Sequence, residues 1–515
     1  MIRTEFIAPI AELLHRHAES RPDKIAFRDH RRSITYRDLF YTTGNLASHL
    51  VALGLTPGDR VSLWLPNTTE WVESCLAIAR VGGIGAPISA DATAGEVRYR
   101  LADSASRIVI TTGERSATLA SLRTDLPALQ EVIVVDDSQR HGTQGHRYEE
   151  LASRSAASAP SDVSSLDAPA WILYTSGTTG QAKGVLLTPR SMLWVVAACW
   201  APIVGLSESD SVLSPLPLFH SYGFNLAVLG VLAVGASAFL MERYSTRECL
   251  ALLRNEPFTL FPGVPTMFHY LLEGAGGEPM RCAALRCCVS AGAIMSASLN
   301  RAFEERFSVP LFDGYGITET STMVTMNWAT GARIMGSCGL PLPGLAVRIV
   351  DPVTDRDVEP SEEGELIVRG PNLMQGYHDK PAETAAALKA GWYRTGDLAT
   401  CDRHGYITIT GRLKELIIRG GQNIAPAEVE EVVSAYEGVL DCAVIGVAHG
   451  HLGEVPVVCV VEKPGHSVDA AGLLAHCRIH LSAYKIPVSV HLVQEIPRTG
   501  SGKIMRFKLR EQLAV

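Results

Sequence analysis

Apolar and polar residues follow two rhythms along this chain. Pro9–Ala18 carries helical spacing and runs out near Pro22, and Ile25–Arg28 with Ser33–Tyr36 reads as a short hairpin. Thr35-Tyr-Arg-Asp38 has the spacing of a capping box and predicts a helix start. Beyond it the pattern predicts strand Arg60–Leu65, helix Thr69–Gly82, strand Ala86–Ile88, helix Gly95–Ser104 and strand Arg107–Thr111. Strands alternating with helices at this spacing indicate βαβ units around a largely parallel sheet. The rhythm returns from Met192 to Leu311, so two such layers are expected. Between them Ser153–Pro169 is poor in apolar residues and reads as a surface connection. After Gly339 the texture changes, and Val347–Asp351, Gly364–Arg369 and Tyr406–Thr410 predict a smaller β-rich subdomain. The last hundred residues predict an α+β module with helices Pro426–Ala435 and Asp469–Leu481 and strands Asp441–Val447 and Val455–Glu462. The fold class expected is α/β: a large N-terminal domain over 1–411, a hinge at 412–414 and a mobile α+β C-terminal domain over 415–515. No long-period repeat is present.

Composition narrows the classes. The chain has 515 residues, 47% hydrophobic and 19% charged, which is ordinary for a globular protein with large cores. A net charge of −8 argues against a general nucleic-acid binder. Eleven cysteines include no Cys-x-x-Cys pair, so zinc ligation is disfavoured and reduced thiols in the cytoplasm are expected. The N-terminus interrupts its apolar residues with Arg3, Glu5, Glu12 and His15 and is not a signal peptide. The longest apolar run, Leu226–Met241, falls short of the ~20 residues a membrane span requires. It predicts a buried helix to about Val234, a break at Gly235 and a strand over Ala236–Met241.

Chemistry concentrates first in Trp171–Pro189. A buried strand, Trp171–Tyr174, leads into Thr175, Ser176, Gly177, Thr178, Thr179 and Gly180, with Lys183 at the rim and an apolar strand resuming at Val185–Leu187. Such a loop can turn backbone N–H groups and hydroxyls onto one anion, a polyphosphate being the natural ligand. It is not a Walker A loop: two residues separate Gly177 and Gly180, Lys183 follows no glycine, and a strand comes next. A hairpin turn with a chance lysine is the bland alternative.

Four further stretches stand out. Asp313-Gly-Tyr-Gly-Ile-Thr-Glu-Thr320 sets Tyr315 between Gly314 and Gly316, where the ring could lie against a planar base and the backbone approach closely. Thr318 offers a hydroxyl and Glu319 a hard carboxylate suited to Mg²⁺. Gly391–Asp397 places an acid at a strand end, able to accept from both ribose hydroxyls. Gly411–Pro426 joins a basic turn to a glycine loop and a helix start, and Pro497–Lys503 is a Gly/Ser loop ending in a lysine. Singly, each is also compatible with an ordinary turn or solvated loop.

In residues, order and spacing these five stretches resemble the adenylate-forming superfamily of acyl-CoA synthetases, luciferases and peptide-synthetase adenylation domains, over essentially the whole chain. The resemblance implies that a carboxylate is joined to the α-phosphate of ATP with loss of pyrophosphate, and that a thiol, usually that of CoA, then displaces AMP. It implies that Thr175, Ser176, Gly177, Thr178, Thr179, Gly180 and Lys183 hold the β- and γ-phosphates. Tyr315 would stack on adenine, with Asp313 and the turn of Ala291, Gly292 and Ala293 at its edge. Thr318 would touch the α-phosphate, Glu319 and Thr175 would face Mg²⁺, and Asp397 and Arg412 would grip the ribose. Lys503 would bridge the attacking carboxylate and the α-phosphate. A rotation about Lys414 would later bring Gly420 and Gly421 to the CoA channel.

His220, within Pro217–Gly223, resembles the family's residue at the mouth of the acyl pocket, although a structural histidine fits nearly as well. The absence of charge from Phe219 to Leu229, apart from His220, disfavours an amino acid or small dicarboxylate. Phe261–Phe268 resembles fatty-acyl and aryl members, and Ser290–Met295 and Thr320–Met326 add small and flexible side chains. The acid expected is a medium- or long-chain fatty acid, with an aryl or arylalkenoic acid as the alternative. The cofactors expected are ATP, Mg²⁺ and CoA. The partners expected are the acid, CoA or else a carrier protein or amine, and a second copy of the chain as a homodimer; no nucleic acid and no transmembrane segment are expected.

Overall fold

A computed structural model describes residues 1–136, 145–154, 162–175, 182–277, 279–499 and 503–513. Among them, two large sheets form the N-terminal part. One has eight strands, with Ile84–Pro87, Arg60–Trp64, Ile108–Thr112 and Glu131–Val135 running parallel. The other has nine, its parallel centre built from Leu311–Tyr315, Cys287–Ser290, Leu260–Gly263, Ser211–Ser214 and Ser237–Leu240. The N-terminal hairpin crosses over to this second sheet, Ile25–Arg28 pairing in parallel with Ser237–Leu240. Local alternation predicts that hairpin but not its distant partner strand.

The largest apolar cluster draws side chains from both sheets and from the helices between them. Helix Thr69–Arg80 is buried at every position. Its charges are therefore paired: Tyr148 donates to Glu73 at 2.7 Å, Arg31 meets Glu70 at 2.7 Å, and Arg80 meets Asp162 at 2.7 Å. Helix Tyr36–Ala52 begins on the predicted box, Thr35 and Asp38 capping each other. The apolar run continues a helix that starts at Ser221, is wound as π-helix over Asn225–Gly230, and stops at Gly235 with φ +77°. No helix among the described residues is long and apolar enough to cross a membrane. All eleven cysteines carry free thiols.

The β-rich subdomain is a five-stranded sheet that includes Ala346–Val350, Gly364–Arg369, Trp392–Cys401 and Ile407–Arg412. A second five-stranded sheet begins at Ile417–Arg419 and carries the C-terminal core, so the chain passes between the two modules in 413–416. Its long hairpin Val439–His449/Gly453–Glu462 packs against helices Pro426–Ser434 and Ala470–His480.

Candidate active site

Strands Trp171–Thr175 and Lys183–Leu187 are an antiparallel hairpin in which Thr175 lies directly opposite Lys183. The proposed phosphate loop thus springs from two fixed ends; Ser176, Gly177, Thr178, Thr179 and Gly180 lie outside the described residues. Lys183 extends its ammonium over the Tyr377 ring, 5.0 Å from the centroid.

Leu311–Tyr315 ends one central strand, and Thr318–Thr320 forms a single 3₁₀ turn after it. The glycines flanking Tyr315 serve internal packing rather than approach to a base. A Cβ on Gly316 would collide with the carbonyl of Thr322, and one on Gly314 would meet Met326 Cε and Thr325 O at 2.8 Å. Tyr315 donates its hydroxyl to Asp397 Oδ2 at 2.6 Å, and Arg412 Nε pairs with Asp397 Oδ1 at 2.9 Å. Asp397 is not at a strand end as expected: it lies within Trp392–Cys401, opposite Arg412 and just before a bulge that re-aims the strand. Asp313 and Ser290 face each other across parallel strands, close enough for the serine hydroxyl to favour the carboxylate, but neither Asp313 Oδ1 nor Ser290 Oγ completes a well-formed hydrogen bond among the described residues. Burial pushes the Asp313 carboxyl well above the usual range. Unpaired polar atoms at this depth suit a polar ligand edge.

Glu319 is buried, and burial raises its pKa while Lys503 and the Tyr377 hydroxyl oppose the rise. Its hydrogen-bond partner is neutral: Tyr377 donates to Oε1 at 3.1 Å. A desolvated carboxylate with no cation in salt-bridge contact among the described residues fits Mg²⁺, which is held through one or two carboxylates plus substrate phosphates. Among the described residues no group of three or more His, Cys, Asp or Glu is set to hold a metal alone.

His220 caps the helix that starts at Ser221, its Nδ1 accepting the Tyr222 N–H at 3.3 Å. The neutral ring therefore carries its proton on Nε2. Burial, with Lys503 nearby, lowers its pKa to about 3. Ser221 and Thr318 hydroxyls meet at 3.4 Å and Thr322 donates to Ser221 O at 3.0 Å, tying the His220 turn to the Thr318 turn.

The C-terminal domain delivers Lys503 to this place. Thr499 Oγ1 accepts the Lys503 N–H at 3.1 Å, closing the loop at its base, and Arg498 grips Asp441 through both carboxylate oxygens at 2.9 and 3.1 Å. Lys503, His220, Tyr222, Val264 and Gly292 line one narrow cavity of about 10 Å³, room for roughly one water. Burial lowers the Lys503 pKa, and Arg412 lowers it further against Asp397 and Glu319. Lys503, His220, Thr318, Glu319, Asp397, Arg412 and Gly292 are thus brought together. Gly420 and Gly421 are not. They form the exposed two-residue turn of hairpin Ile417–Arg419/Gln422–Ile424, both with positive φ; Gly420 lies against Leu452 of its own domain and Gly421 faces open space. Lys414 is exposed in the connection between modules.

Three residues escape sequence reasoning. Tyr377 sits on a two-residue strand, too short for a periodic signal, that pairs with Val185 beside the phosphate hairpin. Tyr393 meets its hydroxyl at 3.4 Å. Asn372 donates to the carbonyls of Thr320 at 3.1 Å and Met323 at 2.9 Å, pinning the turn after Glu319.

Known proteins are similar to this chain in sequence and in fold. Residues 14–378 match the family model described as AMP-binding enzyme, and 428–503 match the AMP-binding enzyme C-terminal domain. The chain is 35% identical over 514 residues, 97% of each chain, to the 3-[(3aS,4S,7aS)-7a-methyl-1,5-dioxo-octahydro-1H-inden-4-yl]propanoyl:CoA ligase of Mycobacterium tuberculosis. It is 31% identical to a long-chain-fatty-acid–CoA ligase of Bacillus subtilis, covering 95% of this chain and 92% of that one. Among solved structures, an anthranilate CoA ligase in complex with anthranoyl-AMP superposes with a TM-score of 0.91 at 26% identity, covering 98% of each chain.

Proposed function

Since this chain belongs to the AMP-binding enzyme family and is an ATP-dependent acid–CoA ligase, we propose that its acid is a medium- or long-chain fatty acid, activated as the acyl adenylate and passed to CoA. One observation carries the reading: Lys503 of the C-terminal domain and His220 of the N-terminal domain line the same cavity, whose other walls among the described residues are uncharged.

The carboxylate oxygen attacks the α-phosphorus of ATP, and the bond to the pyrophosphate oxygen breaks. Lys503 holds both the incoming carboxylate and the α-phosphate, where negative charge gathers; a preorganised donor of this kind is worth ~10²–10³ in rate. His220, neutral with its proton on Nε2, donates to the carboxylate and does not act as a base. Asp397 accepts from the ribose hydroxyls while Arg412 and Tyr315 hold it in place. Asp313 and the turn of Ala291, Gly292 and Ala293 take the adenine edge, and Thr318 meets the α-phosphate. Lys183, Thr175 and the loop after it hold the outer phosphates. Glu319, with Thr175, would hold Mg²⁺, which supplies charge neutralisation along the triphosphate. The C-terminal domain then turns about 412–414, removing Lys503 and presenting Gly420–Gly421. The CoA thiolate attacks the acyl carbon, the bond to AMP breaks, and the thioester and AMP leave.

The acid lacks a second charge, because an ammonium or carboxylate against Val264, Tyr222 and Gly223 would be buried unpaired. The cavity must enlarge to admit a chain. A specific observation favours an aryl acid as the second reading: Tyr222, held by its hydroxyl on Val289 O at 2.9 Å, stacks near-parallel on Trp200 and offers a flat wall. A panel of fatty, aryl and amino acids assayed for pyrophosphate release, with and without CoA, tests both. A fatty-acyl preference and a CoA-dependent thioester support the first; preference for benzoates or cinnamates selects the second. Release of orthophosphate alone overturns the reaction, and turnover only with an amine or carrier protein overturns CoA as acceptor.

A further inference from the structure

Tyr377 joins two groups on which the proposed ATP site depends, yet it belongs to neither motif. Its ring lies under the Lys183 ammonium, and its hydroxyl donates to Glu319. The backbone fixes this bridge from both sides. Tyr377 pairs with Val185, two residues beyond Lys183, and His378 N–H donates to Gly184 O at 2.8 Å. Met374 N–H donates to the Glu319 carbonyl at 2.8 Å, so one short segment clasps both the hairpin and the 3₁₀ turn. Tyr393, buried, backs the hydroxyl. A tyrosine needed only for packing would not place its ring on one charged group and its hydroxyl on another of opposite sign.

We propose that Tyr377 is the positioning residue that sets the phosphate lysine and the magnesium carboxylate in register, its ring steering Lys183 and its hydroxyl orienting Glu319. This rests on the roles proposed above for Lys183 and Glu319. The ring holds an ammonium that must otherwise search several rotamers, and the hydroxyl fixes which carboxylate oxygen faces the metal.

The test separates the two contacts by binding rather than turnover. ATP is titrated calorimetrically into the full chain, without acid, across a Mg²⁺ series and in EDTA, for wild type, Tyr377→Phe, Tyr377→Leu and Glu319→Gln. Tyr377→Phe should raise the Mg²⁺ concentration for half-maximal tightening of ATP binding by about 10-fold or more, as losses of such orienting bonds do. Its ATP affinity in EDTA should stay that of wild type, because the ring remains. Tyr377→Leu should show the same Mg²⁺ defect and also bind ATP about 3–10-fold more weakly in EDTA, having lost the ring under Lys183. The proposal is overturned if Tyr377→Phe follows wild type in Mg²⁺ while Glu319→Gln does not, or if Tyr377→Leu matches Tyr377→Phe in EDTA. If Glu319→Gln itself keeps the wild-type Mg²⁺ dependence, the assignment of Glu319 fails, and Tyr377 has no metal site to orient.

Discussion

Tyr315 and Asp397 come from different sheets and meet through a 2.6 Å hydrogen bond, with Arg412 closing on the other carboxylate oxygen. The acid is therefore oriented before any nucleotide arrives, and its remaining lone pairs are directed rather than free to turn. Replacing Asp397 by Asn keeps the shape but removes the charge that Arg412 answers. ATP binding should weaken ~10–100-fold, the range for a hydrogen bond to a charged group. Wild type should disfavour 2′-deoxy-ATP, and Asp397→Asn should lose most of that preference. Equal loss for both nucleotides would remove Asp397 from the ribose. Tyr315→Phe, which keeps the ring but frees the acid, should raise KM for ATP with a smaller change in kcat.

Lys503 reaches His220 only because the C-terminal domain is docked as it is, with Arg498 tied to Asp441 at the root of the loop. Lys503→Ala should lower acyl-adenylate formation by ~10²–10³ and leave thioester formation from supplied acyl-AMP largely intact. Rapid-quench assays of the two half-reactions decide this. Equal loss of both would mean that the lysine serves domain docking rather than the first step.

The hinge prediction has the opposite sign. Ile407–Arg412 belongs to the β subdomain and Ile417–Arg419 to the C-terminal sheet, so any rotation falls on the few residues between them. Fixing φ there with Lys414→Pro should leave adenylate formation within about 3-fold of wild type. The thioester step should fall by at least ~10², since Gly420–Gly421 could not reach the site. Undiminished thioester formation would remove 412–414 from the motion.

How much of this was legible in the sequence follows from which interactions are local. The Thr35–Asp38 box, the stop at Gly235 and the strands Arg60–Trp64 and Ile108–Thr112 depend on neighbours within a few positions, and they form within a residue of where the pattern puts them. Ile84–Pro87 begins two residues early, and Glu131–Val135 of the same sheet is not among the strands the pattern predicts. The motif residues from Thr318 to Lys503 could be named because the stretches that carry them resemble the adenylate-forming superfamily in residues, order and spacing. Their assembly could not, because it depends on sheet order: Ile25–Arg28 against Ser237–Leu240, and Gly376–Tyr377 against Lys183–Leu187. The glycines around Tyr315 were legible as necessary, but the reason was not, since the carbonyl of Thr322 that excludes a side chain arrives from the following turn. Asp397 reads as terminal in the sequence, whereas the strand continues through a bulge to Cys401.

Two histidines, His17 buried and His220 half-buried, predict how stability responds to acid. His17 packs at 5.0 Å on the ring of Tyr36, with its Nε2 3.4 Å from Ala233 O, and burial lowers its pKa to about 4. His220 is lowered to about 3 by the same cause. In the unfolded chain both return to ordinary imidazole values near 6.5. Above pH ~6.5 neither state binds a proton and the fold keeps its full stability. As pH falls below that value the unfolded chain takes up protons that the native one refuses. Each histidine can then cost up to ~1.4 kcal/mol per pH unit, down to about pH 4 for His17 and about pH 3 for His220. Thermal unfolding followed from pH 7 to 4 should therefore show a falling midpoint. His17→Gln, which keeps a donor but does not titrate, should flatten the slope between 6.5 and 4 even if it lowers the midpoint at pH 7. An unchanged slope would mean that the His17 ring reaches water. The same chemistry separates stability from catalysis at His220: if it acts as a neutral donor, His220→Ala should slow adenylate formation ~10²-fold without removing any pH step between 5 and 8. Loss of an acid limb in that variant would show that the imidazole titrates in the working enzyme and serves as a base.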